Sequence, residues 1–210
     1  VESYHVYVNE AGKIVGEFAG RKIRTHPLAF GDSTALEVTD AADVLELGRT
    51  IVRRLKLRGV AKFDLKRAPD GGLRLLEINP RFTLWHHLGA SAGVNLAALV
   101  YHDLVGLPAP PRAVARAGAR WCKPWSDIRA ARNSGVPLHR WVPWALSCDA
   151  VAAFAWDDPM PLLGAGLSAW LQRLTRPPHN GNGHRYPARI PVGTTPPSAQ
   201  SKSPVLPPRS

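Results

Sequence analysis

Residues 59–82 read GVAKFDLKRAPDGGLRLLEINPRF. Two runs rich in Val, Phe, Leu and Ile flank APDGG, and an Asp-Gly pair between two such runs is a strong hairpin signal. With Asp70 and Gly71 as the centre of the turn, Asp64 falls opposite Glu77 and Lys62 opposite Asn79. The alternate positions pair Phe63 with Ile78 and Leu65 with Leu76, so one face of the hairpin is apolar and the other polar. Facing carboxylates have Cβ atoms only about 4.5–5.5 Å apart, and like charges there repel. Something must hold Asp64 and Glu77 together.

Two readings of that face are open. Two carboxylates and an amide oxygen on neighbouring strands are the donors a hard divalent cation prefers, and Mg²⁺ takes one or two protein carboxylates beside phosphate oxygens. Alternatively, Lys62 and Lys66 neutralise Asp64 and Glu77 as a solvated sheet face.

Upstream, SYHVYVNEAGKIVGEFAG predicts two strands turning at Asn9–Gly12. RKIRTHP continues extended to Pro27, and AFGDSTAL reads as loop. From Asp40, Val44, Leu47, Ile51, Val52 and Leu55 recur at helical spacing, with Thr39 or Asp40 as candidate N-cap. Downstream, the residues from Trp85 and again from Gly93 to Val105 read as helices. GLPAPPR is a linker. Beyond it, ARWCKPW and AVAAFAW read as strands, and Ser126–Asn133 and Leu162–Leu174 as helices. After Arg176 the chain turns to Pro, Gly, Ser, Thr and Asn, too poor in apolar surface to offset the entropy of ordering, which predicts a disordered tail.

The formal charge is +11, but the first 106 residues are nearly balanced and the excess lies in the second half. There arginines are scattered among Ala, Pro and Gly without aromatic interleaving, which argues against nucleic acid as a partner. Cys122 and Cys148 form no CxxC pair, so neither a disulfide framework nor a zinc site is indicated. No signal-peptide pattern and no membrane-spanning apolar run occurs, which predicts a soluble, cytoplasmic protein without membrane contact. No G-x-x-x-x-G-K-[ST] is present, which excludes a P-loop site.

GVAKFDLKRAPDGGLRLLEINPRF closely resembles the metal-binding hairpin of the ATP-grasp superfamily, in which an acidic residue on one strand and E-x-N on the next, often followed by P-R, hold magnesium against ATP phosphates. The resemblance implies Asp64, Glu77 and Asn79 as ligands of Mg²⁺ (or Mn²⁺), and Arg81 pointing toward the transferred phosphoryl group or acyl phosphate. GEFAGRKIRTHP resembles the strands that present basic residues to the triphosphate, implying Lys22 and Arg24 as phosphate contacts. GASAGVNL resembles the stretch after the NPR loop. The implied fold is α+β, a partial ATP-grasp fold with a mainly antiparallel sheet and packed helices. Residues 1–106 would form the C-terminal lobe, 107–175 an accessory α/β region and 176–210 the tail. The implied activity is that of a carboxylate–amine ligase using ATP, a small carboxylate and an amine. The family's upstream lobe does not precede Val1 in this sequence, so the expectation is a truncated C-terminal part, with a non-catalytic nucleotide- or metal-binding fragment or scaffold as the alternative.

Other candidates have structural readings. His86 and His87 are adjacent and point about 100° apart on a helix, which suits packing or pocket lining better than chelation. His5 and His26 are expected on sheet surfaces. The tryptophans from Trp121 to Trp170 are expected to pack an accessory layer. Arg21, Lys22 and Arg24 on a sheet edge would also discourage edge-to-edge pairing.

Overall fold

The computed structural model describes residues 1–28, 31–108, 110–154, 158, 160–161 and 164. The expected helix at Leu162–Leu174 and the expected disordered tail lie almost entirely outside them. Seven strands form one mixed sheet: β1 (Glu2–Val8), β2 (Ile14–His26), β3 (Asp32–Thr39), β4 (Gly59–Arg67), β5 (Leu73–Asn79), β6 (Arg120–Cys122) and β7 (Ala150–Val151). Their order is β5-β4-β1-β2-β3-β6-β7. Every pair is antiparallel except β6 with β7. The helices are α1 (Ala42–Leu55), α2 (Trp85–Ser91), α3 (Leu96–Leu104), α4 (Pro124–Asn133) and α5 (Leu138–Leu146). The fold class is α+β, with a mostly antiparallel sheet.

The period of two along β1 and β4 sorts their side chains onto two faces. Tyr4, Val6, Val8, Ala61, Phe63 and Leu65 pack against Val44 and Val52 of α1. Tyr7, Phe18, Leu36, Val38 and Trp121 pack against Trp85 and Leu88 of α2 and Leu96 of α3. Phe63 and Leu65 are fully buried, each contributing about 1.5–3 kcal/mol through the water it sheds. The polar residues Ser3, Lys62 and Asp64 occupy the α2 side, with Lys62 reaching the Trp85 ring of that core.

Several expectations need correction. AFGDSTAL does not end as a loop, because from Asp32 it is β3, bonded on one side to β2 and on the other to β6. Its Leu36 and Val38 supply the alternation that the polar opening Asp32-Ser33-Thr34 hides. The N-cap of α1 is Ala41, without a side-chain bond, rather than Thr39 or Asp40. His5 is fully buried, stacked on Phe18 at 4.4 Å, and not a surface residue. AVAAFAW contributes only Ala150–Val151 to the sheet, and its last residues lie outside the described ones.

The turn also differs. Lys66 pairs with Arg74 and Arg67 with Leu73, so the connection runs through residues 68–72, closed by the Ala68 N–H to Gly72 carbonyl bond of 2.8 Å. Leu65 faces Leu75 instead of Leu76, and a bulge between Asp64 and Leu65 restores the register beyond it. The physical reason is in the side chains. Without the extra residue Leu73 would turn to the polar side and Arg74 to the core side; with it, Leu73 packs against the α1 cluster.

Candidate functional site

Beyond the bulge the register is the one the sequence predicts: Asp64 opposite Glu77, Lys62 opposite Asn79 and Phe63 opposite Ile78. Phe63 and Ile78 belong to the α1 side, which turns Lys62, Asp64, Glu77 and Asn79 to the other. Ser3 on β1 lies opposite Asp64 and donates to its Oδ1 at 2.9 Å. Lys62 donates to Oδ2 at 2.8 Å, and Lys22 of β2 brings its Nζ to 3.8 Å of the same oxygen. The fold thus gathers three neighbouring strands around one carboxylate that is itself 6 % exposed.

Glu77 and Asn79 are different. They lie on the edge strand, and among the described residues their side chains have no hydrogen bond or ion pair. Lys66, offered by the sequence as a second neutralising lysine, is exposed opposite Arg74 and has no ion pair with either carboxylate. Lys62 alone of the two fills that role.

Arg81 follows Asn79 on an exposed turn closed by the Arg81 N–H to Asn79 carbonyl bond of 2.9 Å. Among the described residues its guanidinium makes one long contact, 3.3 Å to the carbonyl of Phe82. Behind the turn, His86 Nδ1 accepts the Thr83 N–H at 3.2 Å, and Phe82 meets the His86 ring edge to face at 5.4 Å. Accepting at Nδ1 places the proton of the neutral ring on Nε2. Burial, with the charge of Lys62, pushes His86 down to about 4. His5 lies 5.4 Å from it and is lowered as well, by burial first and then by His86 and Lys62. These histidines pack, as expected for His86, while His87 lines a cleft of about 490 Å³ with Trp141 and Cys148.

Arg24 does not join this group. Its guanidinium makes two bonds to Asp127 of α4, 2.8 and 2.6 Å, and lies 4.0 Å from the Trp144 ring. The site residues therefore divide: Lys22, Asp64, Glu77 and Asn79 come together, Arg81 stands on the adjoining turn, and Arg24 is engaged elsewhere. Ser3 and Lys62 are members that motif reading passes over. The register alone locates Lys62, opposite Asn79; nothing local marks Ser3.

The donors suit a hard cation that brings other ligands with it. Among the described residues no group of three His, Cys, Asp or Glu could hold an ion unaided. An unpaired carboxylate, an amide oxygen and a second carboxylate are a fitting protein share for Mg²⁺, which keeps waters and phosphate oxygens in its shell.

Residues 16–123 match the family described as "ATP-grasp in the biosynthetic pathway with Ter operon". The chain belongs to the ATP-grasp superfamily. The matched segment of this ATP-grasp chain contains Lys22, Asp64, Glu77, Asn79 and Arg81. No curated protein matches it. Among solved structures it is similar to an N5-carboxyaminoimidazole ribonucleotide synthetase in complex with ADP, at 15% identity and a TM-score of 0.45, over 54% of this chain and 31% of that one. It is similar to biotin carboxylase from Campylobacter jejuni at 13% identity and a TM-score of 0.45, over 57% and 28%. The corresponding values for the N5-carboxyaminoimidazole synthetase from Staphylococcus aureus are 12%, 0.46, 63% and 37%. The matches thus span about a third of those chains. No helix among the described residues is long and apolar enough to cross a membrane.

Proposed function

We propose that this ATP-grasp chain carries the cation-binding and phosphoryl-transfer part of an ATP- and Mg²⁺-dependent carboxylate–amine ligase. The observation that carries the reading is the cross-strand pairing of Asp64 with Glu77 and of Lys62 with Asn79, with Glu77 and Asn79 on the edge strand and without side-chain partners among the described residues. In this reading residues 1–106 form the lobe that faces the phosphates, and the segment after Gly106 an accessory layer.

Asp64, Glu77 and Asn79 would hold the Mg²⁺ (or Mn²⁺), which when bound supplies charge neutralisation on the β- and γ-phosphates. Lys22, beside Asp64, would offer its ammonium to a phosphate oxygen of the triphosphate. Arg24 acts at one remove, fixing the end of β2 through Asp127. A carboxylate oxygen of the substrate attacks the γ-phosphorus and ADP leaves. An amine nitrogen then attacks the acyl carbon, phosphate leaves and the nitrogen loses a proton, giving an amide. Arg81 has no ion pair among the described residues, so its guanidinium is available to donate to the transferred phosphoryl group.

A second reading, a non-catalytic scaffold piece without a cation site at this hairpin, is favoured by the Lys62–Asp64 contact, which neutralises one carboxylate without any metal. Titration with Mn²⁺ followed by electron paramagnetic resonance separates the two. The ligase reading expects a site strongly weakened by Glu77→Gln. Equal binding by wild type and variant would leave the scaffold reading.

A further inference from the structure

Asp64 and Glu77 face each other, yet they are not equivalent. Both oxygens of Asp64 are engaged, Oδ1 by Ser3 at 2.9 Å and Oδ2 by Lys62 at 2.8 Å, and the side chains of Lys62 and Asp64 are each 9% exposed. Lys22 stands a full ångström further from Oδ2 than Lys62 does, at 3.8 Å. Glu77 and Asn79 have no such partners among the described residues.

We propose that Lys62 is the resident counter-ion of Asp64 and competes with a divalent cation for its Oδ2 oxygen, so that Asp64 joins the cation only when Lys62 releases it. The inference rests on the cation reading of the hairpin and adds an order of events to it: Glu77 and Asn79 engage first, Asp64 second.

The physical argument is one of shared space and charge. A magnesium–oxygen bond of about 2.0–2.1 Å leaves no room on the same lone pairs for an ammonium donor. Two positive charges at that separation repel strongly in a site shielded from water. The buried pair resists opening, because separating it leaves Asp64 Oδ2 with only the more distant Lys22 ammonium, at 3.8 Å, until another cation arrives. Lys62 has a second neighbour to turn to, since its Nζ already lies 5.7 Å from the centroid of the Trp85 ring, at the outer reach of a cation–π contact. Ser3 keeps Asp64 in place through Oδ1 while the exchange occurs at Oδ2.

The experiment is a double-mutant cycle on the full chain, with Mn²⁺ affinity read by electron paramagnetic resonance and folding checked by circular dichroism. Lys62→Met should bind Mn²⁺ roughly tenfold more tightly than wild type. That gain should vanish between Asp64→Asn and the Lys62→Met/Asp64→Asn double variant, because no contested oxygen charge remains. Lys62→Gln supplies the same comparison if Lys62→Met does not fold, and Lys62→Arg should bind no more tightly than wild type. A site that appears only once Lys62 is neutralised also supports the competition. An equal gain with and without Asp64 would overturn it, since the effect would then be a general field. A site weakened by Glu77→Gln but unchanged in Lys62→Met overturns the competition and leaves the cation reading standing. No site in wild type, Lys62→Met or Lys62→Gln overturns both.

Discussion

Arg24 grips Asp127 through two bonds, Nε to Oδ1 at 2.8 Å and Nη2 to Oδ2 at 2.6 Å, and so ties the far end of β2 to α4. The same carboxylate accepts from Thr34 Oγ1 and Trp141 Nε1, both at 2.8 Å, and is wholly buried. One side chain thereby joins β2, β3, α4 and α5. Asp127→Ala should lower stability by about 3–5 kcal/mol, because it leaves the largely buried Arg24 guanidinium without its anion. Arg24→Lys keeps the charge but loses the planar fork, and should cost less. Urea denaturation of the two variants checks the order; an Asp127→Ala midpoint equal to wild type would contradict it.

Stability should fall as acid is added, starting near neutrality. His86 is lowered to about 4 from its usual 6.5, and His5 is lowered too, chiefly because both are buried and neutral, with His86 beside His5 and Lys62 adding to it. Unfolded, the same rings take up protons near pH 6.5, so the contribution is complete above that pH and is lost as the pH drops toward 4. Urea midpoints measured from pH 7 to pH 5 should decline less steeply in His86→Phe than in wild type, whatever the variant's absolute stability. Parallel slopes would remove His86 from the account.

Gly48 sits inside α1, where alanine would ordinarily be worth up to about 1 kcal/mol in helix propensity. Here a Cβ would collide with the ring of Tyr4. Tyr4 cannot withdraw easily, being fully buried with its hydroxyl donating to Glu17 at 2.7 Å. Gly48→Ala should therefore destabilise by about 1–3 kcal/mol through overpacking. A thermal midpoint raised above wild type would show that α1 can shift outward.

The hairpin was legible because its information is local, a turn signal with alternation on either side, but Asp64 falls against Glu77 only because the bulge offsets a turn longer than the sequence suggested. Helix α1 was legible for the same reason, through the spacing of Val44, Ile51 and Val52. Strand β3 was obscured because Asp32, Ser33 and Thr34 look like turn residues, and only pairing with β2 and β6 makes them a strand. Helix α5 carries Pro143 in its interior, which interrupts the pattern a helix shows in sequence. At the site, Ser3 lies 61 residues from Asp64, and the partner of Arg24 is 103 residues away. Such pairings are set by strand order and by helix docking, and no spacing rule within one segment reports them.

The bulge in the β4–β5 hairpin separates two mechanical regimes. Tip residues 68–72 set the pairing of Leu73, Arg74 and Leu75, whereas the pairing of Glu77, Ile78 and Asn79 resumes on the far side of the extra residue. A length change at the tip can be absorbed there, as a slip joint absorbs thermal expansion in a pipe, without turning Glu77 to the wrong face of the sheet. The tip is thus uncoupled in register from the carboxylate pair, which lies about 17 Å further along the strand.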